Sequence, residues 1–102
     1  MFSSHSRFVC GQAPRLLGRL CKHFAHKIEA NWSEREGLLR FSIGECVLRA
    51  DDEALYLVCS APSAEYLSEL QEVIRRHLQG FAQMEALQLS WYDEDAELTG
   101  RS

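Results

Sequence analysis

Long apolar runs are absent from this sequence, and none approaches the roughly 20 residues that a membrane-spanning helix needs. The first residues, MFSSHSRFVCGQ, also lack the basic and apolar stretches of a secretory signal peptide. The four cysteines include no CxxC pair, so a structural zinc site built from paired cysteines is not expected. We therefore expect a cytoplasmic protein with reduced thiols and no membrane contact.

Basic residues are also fewer than acidic ones: the chain has 11 lysines and arginines and 15 aspartates and glutamates, which gives a formal net charge of −4. Nucleic-acid binding needs a basic footprint, so no nucleic-acid partner is expected. No glycine-rich phosphate loop, GxSxG motif, HExxH motif or EF-hand loop occurs either. The sequence therefore requires no cofactor, and it favours a non-enzymatic role without excluding an enzyme.

The hydrophobic content of 46% in 102 residues is enough for a single domain with one core, spanning residues 1–102. Apolar side chains recur with helical spacing over 14–28 and again from 63 to about 80, and a proline stands at each start. These two segments are predicted to be helices. The ordered core is expected to cover about 6–92, and the acidic tail at 93–102 is expected to be loose.

Alternation of apolar and polar residues predicts strands with one buried side. The predicted strands are SRFVC (6–10), LLRFSIG (38–44), ECVLRA (45–50), ALYLVCS (54–60) and LQLSWY (87–92). The segment EANWSEREG (29–37) is polar and is predicted to be a turn. The expected fold is α+β, in the order β-α-β-β-β-α-β, with one antiparallel sheet and both helices on a single face.

The segment LCKHFAHK, residues 20–27, concentrates unusual residue types on the first predicted helix. With a helical step of about 100° per residue, Cys21 and His23 point to nearly opposite sides, so they cannot bind one metal. His23 and His26 are separated by only about 60°, so they could bind a metal together if a further ligand is supplied. Cys21 itself, like Cys46 and Cys59, falls on an inward position and is expected to be a buried, unreactive thiol.

The outer side of the same helix is predicted to carry a basic ridge. Such a ridge on an acidic protein could bind an anionic small molecule or an acidic protein surface. The alternative is a solvated helix face whose cations are stabilised by the negative end of the helix dipole. The ridge consists of Arg15, Arg19, Lys22 and His26. The predicted ligand-binding residues are Arg19, Lys22, His23, His26 and Lys27.

His77 lies within the apolar side of the second predicted helix. A histidine in such a position is usually buried and satisfied by one hydrogen-bond partner. Alternatively, the two helices pack side by side and bring His77 near His23. An acid–base or metal-dependent enzyme would use His23, His26 and His77, with a third polar group such as Glu45 or Glu29.

Three strings, LCKHFAHK, LLRFSIGECVLRA and HLQGFA, resemble the small bacterial proteins of domain of unknown function family 2218. The resemblance extends from about Ser6 to Trp91 and implies a compact α+β fold. It also implies a link to siderophore-interacting flavin reductases, and hence to iron handling as an accessory domain. The positions that carry the resemblance are Cys21, Lys22, His23, Phe24, His26, Lys27, Gly44, His77, Leu78, Phe81 and Ala82.

Three functional hypotheses follow from these observations. The first is a non-enzymatic accessory or ligand-binding domain that uses the basic, histidine-containing face of the first helix. The second is a small enzyme that uses the histidines. The third is a homodimeric structural domain that associates through the face of the sheet opposite the helices, around Tyr56 and Tyr92.

Overall fold

The computed structural model describes residues 1–81 and 91–93. Its helices are α1 (Ala13–Phe24) and α2 (Ala64–Phe81). Its strands are β1 (Phe2–Val9), β2 (Glu29–Trp32), β3 (Glu36–Phe41), β4 (Gly44–Ala50), β5 (Ala54–Ala61) and β6 (Tyr92–Asp93). The strands form one antiparallel sheet in the order β2-β3-β4-β5-β1-β6, and both helices pack on one face of it. The predicted α+β class and layer arrangement are confirmed.

One hydrophobic core fills the space between the helices and the sheet. Alternate residues of β3, β4 and β5 point into it, because successive side chains of a strand face opposite sides. The predicted inward positions of Cys46 and Cys59 on the strands, and of Cys21 on α1, are all fully buried. Other fully buried side chains are Leu17, Leu20, Leu39, Leu48, Leu55, Leu57, Leu70, Ile74 and Leu78.

The prediction of a turn at 29–37 is wrong, because Glu29–Trp32 forms β2 at the edge of the sheet. Among residues 1–81 and 91–93 this strand pairs with β3 alone, and most of its residues are exposed. Edge strands commonly carry polar residues, which protect the sheet from pairing with other chains. The apolar alternation that reveals a buried strand is therefore missing from it.

The predicted start of the first strand at residue 6 is also wrong, because β1 begins at Phe2. Its inward positions are the serines Ser4 and Ser6, which are 1% and 2% exposed. Serine gives no apolar signal in a sequence. Gln71 of α2 donates a hydrogen bond from Nε2 to Ser4 Oγ at 2.6 Å, which satisfies that buried hydroxyl.

Ser6 provides a test of this part of the core, since its buried Oγ has no hydrogen-bond partner among the described residues. A buried hydroxyl without a partner is destabilising, so Ser6→Ala is expected to raise the free energy of unfolding by about 1 kcal/mol. The matched variant Ser4→Ala leaves the Gln71 amide unpaired. It is expected to lower the free energy of unfolding by about 1 kcal/mol. Urea denaturation of both variants measures the difference, and equal effects would contradict this account.

The end of α1 also differs from the prediction of a helix over 14–28. The α-helix stops at Phe24, and the N–H groups of Lys27 and Ile28 both bond to the Phe24 carbonyl oxygen, at 2.9 Å each. The Lys27 bond spans three residues instead of four, so the chain tightens as it turns toward β2. A constant helical step therefore does not place His26, which lies in this turn.

The second helix matches its prediction to within one residue, and Ser63 Oγ accepts a hydrogen bond from the N–H of Tyr66 at its start. The predicted strand over 87–92 lies mostly outside the described residues, and Tyr92–Asp93 pairs with β1 as β6. The predicted loose tail lies outside them from residue 94 onward. Neither α1 nor α2 is long and apolar enough to cross a membrane.

Candidate functional site

The ends of α1 and α2 bring two histidines together. His23 is the residue before the last of α1, and His77 lies one turn before the end of α2. Their ring centroids are 5.1 Å apart, with an angle of 46° between the ring planes. The alternative in which the two helices pack side by side and place His77 near His23 is therefore confirmed. The sequence separates these two residues by more than fifty positions, so only the fold creates the pair.

A backbone hydrogen bond fixes the ring of His77. Its Nδ1 lies 2.8 Å from the carbonyl oxygen of Val73, one turn earlier on α2. A carbonyl oxygen can only accept, so Nδ1 must carry the hydrogen. The expected single backbone partner of His77 is thus present. When the ring is neutral, its Nε2 lone pair remains available for a ligand or a proton.

Aromatic rings form the floor beneath this pair. His23 meets Phe81 at a centroid distance of 5.3 Å and Phe24 at 5.6 Å, in both cases near edge-to-face. The His77 ring lies 4.7 Å from Phe24, which in turn packs against Phe41 of β3 at 5.1 Å. Such contacts favour particular ring orientations. The imidazoles are therefore held by packing from α1, α2 and β3.

The surroundings of His23 disfavour its charged form. Burial is the main cause that lowers the pKa of His23 below its ordinary 6.5, followed by the positive charges of His77, Lys27 and His26. His23 is therefore neutral at physiological pH.

Exposed basic residues lie next to His23 in the chain and against the Phe81 ring. The chain has only two lysines, Lys22 and Lys27, and they lie on either side of His23 in the sequence. The Arg19 guanidinium carbon lies 5.4 Å from the centre of the Phe81 ring, on the same aromatic floor that His23 contacts. Together with His26, these residues form a basic rim, defined as Arg19, Lys22, His26 and Lys27. Sequence reasoning missed Phe81 and Phe41 as parts of the site, although both belonged to apolar patterns.

The histidines could bind a metal only with further ligands. No group of three or more histidine, cysteine, aspartate or glutamate side chains in residues 1–81 and 91–93 is arranged to hold a metal ion. The metal site at His23 and His26 stays a prediction. Glu29 and Glu45 do not converge on the histidines, because both pair with Arg40 on the opposite face of the sheet, at 3.7 and 3.3 Å. Strand alternation turns these carboxylates away from the helices.

Comparison with known proteins places the whole cluster inside a bacterial family. The family of uncharacterized proteins conserved in bacteria, domain of unknown function 2218, matches residues 5–92. The chain belongs to this family. This family 2218 domain is similar to PA4090 from Pseudomonas aeruginosa, whose NMR structure superposes with a TM-score of 0.78 at 33% sequence identity. The similarity covers 90% of this chain and 96% of that one. No curated protein matches the chain.

Proposed function

We propose that the protein is a non-enzymatic accessory domain that binds an anionic ligand at the histidine–aromatic cluster. The observation that supports this proposal is the contact between the His23 and His77 rings beside the basic rim. The rim attracts negative charge, while the imidazoles and the aromatic floor contact the body of the ligand. Arg19, Lys22 and Lys27 supply the charge, and His26 belongs to the same rim.

Binding is favoured over catalysis by what surrounds the imidazoles. Packing and the Val73 carbonyl hold the rings, whereas an acid–base enzyme of the kind considered would need a carboxylate close to them. The two carboxylates that the sequence suggested for that role pair with Arg40 instead. A rigid cluster with a cationic border suits the capture of a preformed anion.

An iron chelate is the ligand class that we propose for this surface. Many ferric chelates are anionic and present a bulky body with several oxygen atoms, which matches a basic rim beside an aromatic floor. The resemblance between this chain and domains linked to siderophore-interacting flavin reductases agrees with this choice. The domain would then hold the chelate for such a reductase, which is the proposed partner.

The test is an NMR titration of the histidine rings with citrate and with ferric citrate. A bound anion favours the protonated imidazole, so the pKa of His23, which starts below 6.5, is expected to rise toward or above that value. Ligand binding is therefore coupled to proton uptake, and the affinity is expected to increase as the pH falls through 6.5. An unchanged pKa of His23 at saturating ligand would count against the site.

The variant Lys22→Glu/Lys27→Glu is expected to weaken ferric citrate binding at least about tenfold, because four units of charge change close to the ligand. The control is Arg7→Glu/Arg35→Glu, which changes the net charge equally. In the wild type, Arg7 contacts Tyr56 and Arg35 contacts Asp52, both away from the cluster. The control is expected to bind as the wild type does. If both folded variants bind equally well, a role for the α1 surface is ruled out.

A further inference from the structure

The face of the sheet away from the helices, called the open face below, carries its side chains in three cross-strand rows. In the middle row, Leu38, Val47 and Val58 are direct partners on β3, β4 and β5. Val47 lies at the centre and is 48% exposed, which is high for a β-branched residue in the middle of a sheet. His5 and Tyr92 extend this row onto β1 and β6, where their rings stack at 5.5 Å.

Charges of alternating sign surround the centre of that row. On one side, Arg40 of β3 is the partner of Glu45 on β4, and their side chains pair at 3.3 Å. On the other side, Glu36 of β3 is the partner of Arg49 on β4. Strands β3 and β4 therefore each carry one cation and one anion, and each of the two outer rows opposes one cation and one anion across these strands. The four charges form the corners of a square, all exposed, with equal charges on the diagonals.

This square is complementary to itself. An isologous dimer uses the same patch on both copies, related by a two-fold axis that lies in the plane between two facing sheets. With the axis parallel to the strands, Arg40 of one copy faces Glu45 of the other, and Glu36 faces Arg49. With the axis parallel to the rows, Arg40 faces Glu36 and Glu45 faces Arg49. Either arrangement opposes unlike charges at every corner and places apolar side chains in the middle.

We propose that the open face is an interface between two copies of this chain, centred on Leu38 and Val47. The four corner charges sum to zero, so the face attracts neither an acidic nor a basic partner, whereas a second copy matches it charge for charge. The shape of the face favours an axis parallel to the strands, because this axis sets Val47 of one copy over Leu38 of the other. Leu38 lies in a depression of about 600 Å³ that Glu36 and Trp32 also help to line.

The size of the face sets the expected strength of the contact. Strands are spaced about 4.8 Å apart and rise about 3.4 Å per residue, so the three rows cover roughly 400–600 Å² on each copy. Specific interfaces of this size lie at the lower end of the known range. We therefore expect a reversible dimer whose population depends on protein concentration.

The test is sedimentation equilibrium of the full chain from about 10 μM to about 1 mM, a range that covers weak dissociation constants. The variant Arg40→Glu/Arg49→Glu has four acidic corners, and Glu36→Lys/Glu45→Lys has four basic corners. Each alone is expected to remain a monomer, because every opposed pair is then repulsive. An equimolar mixture of the two is expected to form dimers again, whichever axis is used.

Two further variants keep the test decisive. Arg15→Glu/Arg76→Glu changes the net charge as much as the acidic variant, but on the exposed surfaces of α1 and α2, and is expected to dimerise as the wild type does. Val47→Lys places a charge at the centre of the contact and is expected to weaken it at least about tenfold, whereas Val47→Thr keeps the β-branched shape and has a smaller effect. A wild type that stays monomeric at about 1 mM, or a mixture of folded charge variants that stays monomeric, overturns the proposal.

Discussion

Replacement of Gly44 by alanine is expected to lower the free energy of unfolding by about 3 kcal/mol or more, the upper end of overpacking effects. A Cβ atom at this position would overlap the carbonyl oxygen of Ser60 on the neighbouring strand β5. It would also press against Ala61 Cβ and Leu70 Cδ2, each at 3.1 Å. A backbone oxygen cannot move aside by changing a rotamer. The start of β4 would therefore have to separate from β5, and buried apolar contacts with α2 would be lost with it.

Gly18, in the middle of α1, is the matched control for this substitution. A Cβ added there meets nothing within 4 Å, so only the helix propensity changes. Gly18→Ala is expected to raise the free energy of unfolding by about 1 kcal/mol. Urea denaturation monitored by circular dichroism gives both values under identical conditions. Similar transition midpoints for the two variants would show that close packing at Gly44 does not limit stability.

Thiol reactivity is the second large effect. Burial raises the pKa of Cys21 to about 11, and at neutral pH this reduces the reactive thiolate by roughly a hundredfold relative to the ordinary value of 9.0. A hydrogen bond with the Cys59 thiol, followed by burial, raises the pKa of Cys46 well above its usual value. In the native protein, a water-soluble thiol reagent is therefore expected to leave Cys21, Cys46 and Cys59 unmodified.

Cys10 provides the internal reference for that experiment. It is half-buried after the end of β1, and burial raises its pKa only moderately, because a backbone hydrogen bond from Gln12 acts in the opposite direction. Mass spectrometry after timed labelling is expected to find one modified thiol, at Cys10, in the native protein and four after denaturation in urea. Rapid labelling of Cys21 in the native state would contradict both its burial and the packing of α1 on the sheet.

Most of the fold was accessible from the sequence because the central strands and both helices bury one side. Leucines and cysteines at every second position of β4 and β5 revealed those strands, since burial is what produces the alternation. The failures share a cause. Edge strand β2 buries little, and the first part of β1 turns Ser4 and Ser6 inward, so neither segment leaves an apolar pattern. The hydrogen bond from Gln71 of α2 that satisfies the Ser4 hydroxyl is a tertiary contact, and a local sequence pattern cannot reveal it.

The candidate site was predictable only in part. The basic residues and His23 are adjacent in the chain, so their grouping required only a helix. The second half of the cluster depended on how α2 lies against α1, which set His77 and Phe81 beside His23. The open face shows the same limit. Its strands were recognised singly, but the alternation of charges across them needs the strand register, which depends on turns and neighbours as well as on apolar patterns.

The position of β1 determines the order in which the sheet can be completed. Strands β2 to β5 follow one another and pair with their nearest neighbours in sequence, so each can form as soon as the next turn closes. The first strand must instead pair with Ala54–Ala61, across a loop of more than forty residues. Closing such a loop costs entropy before any contact compensates for it, and this slows folding. During synthesis, β1 is therefore made well before its partner β5, and β6 can join the sheet only after both.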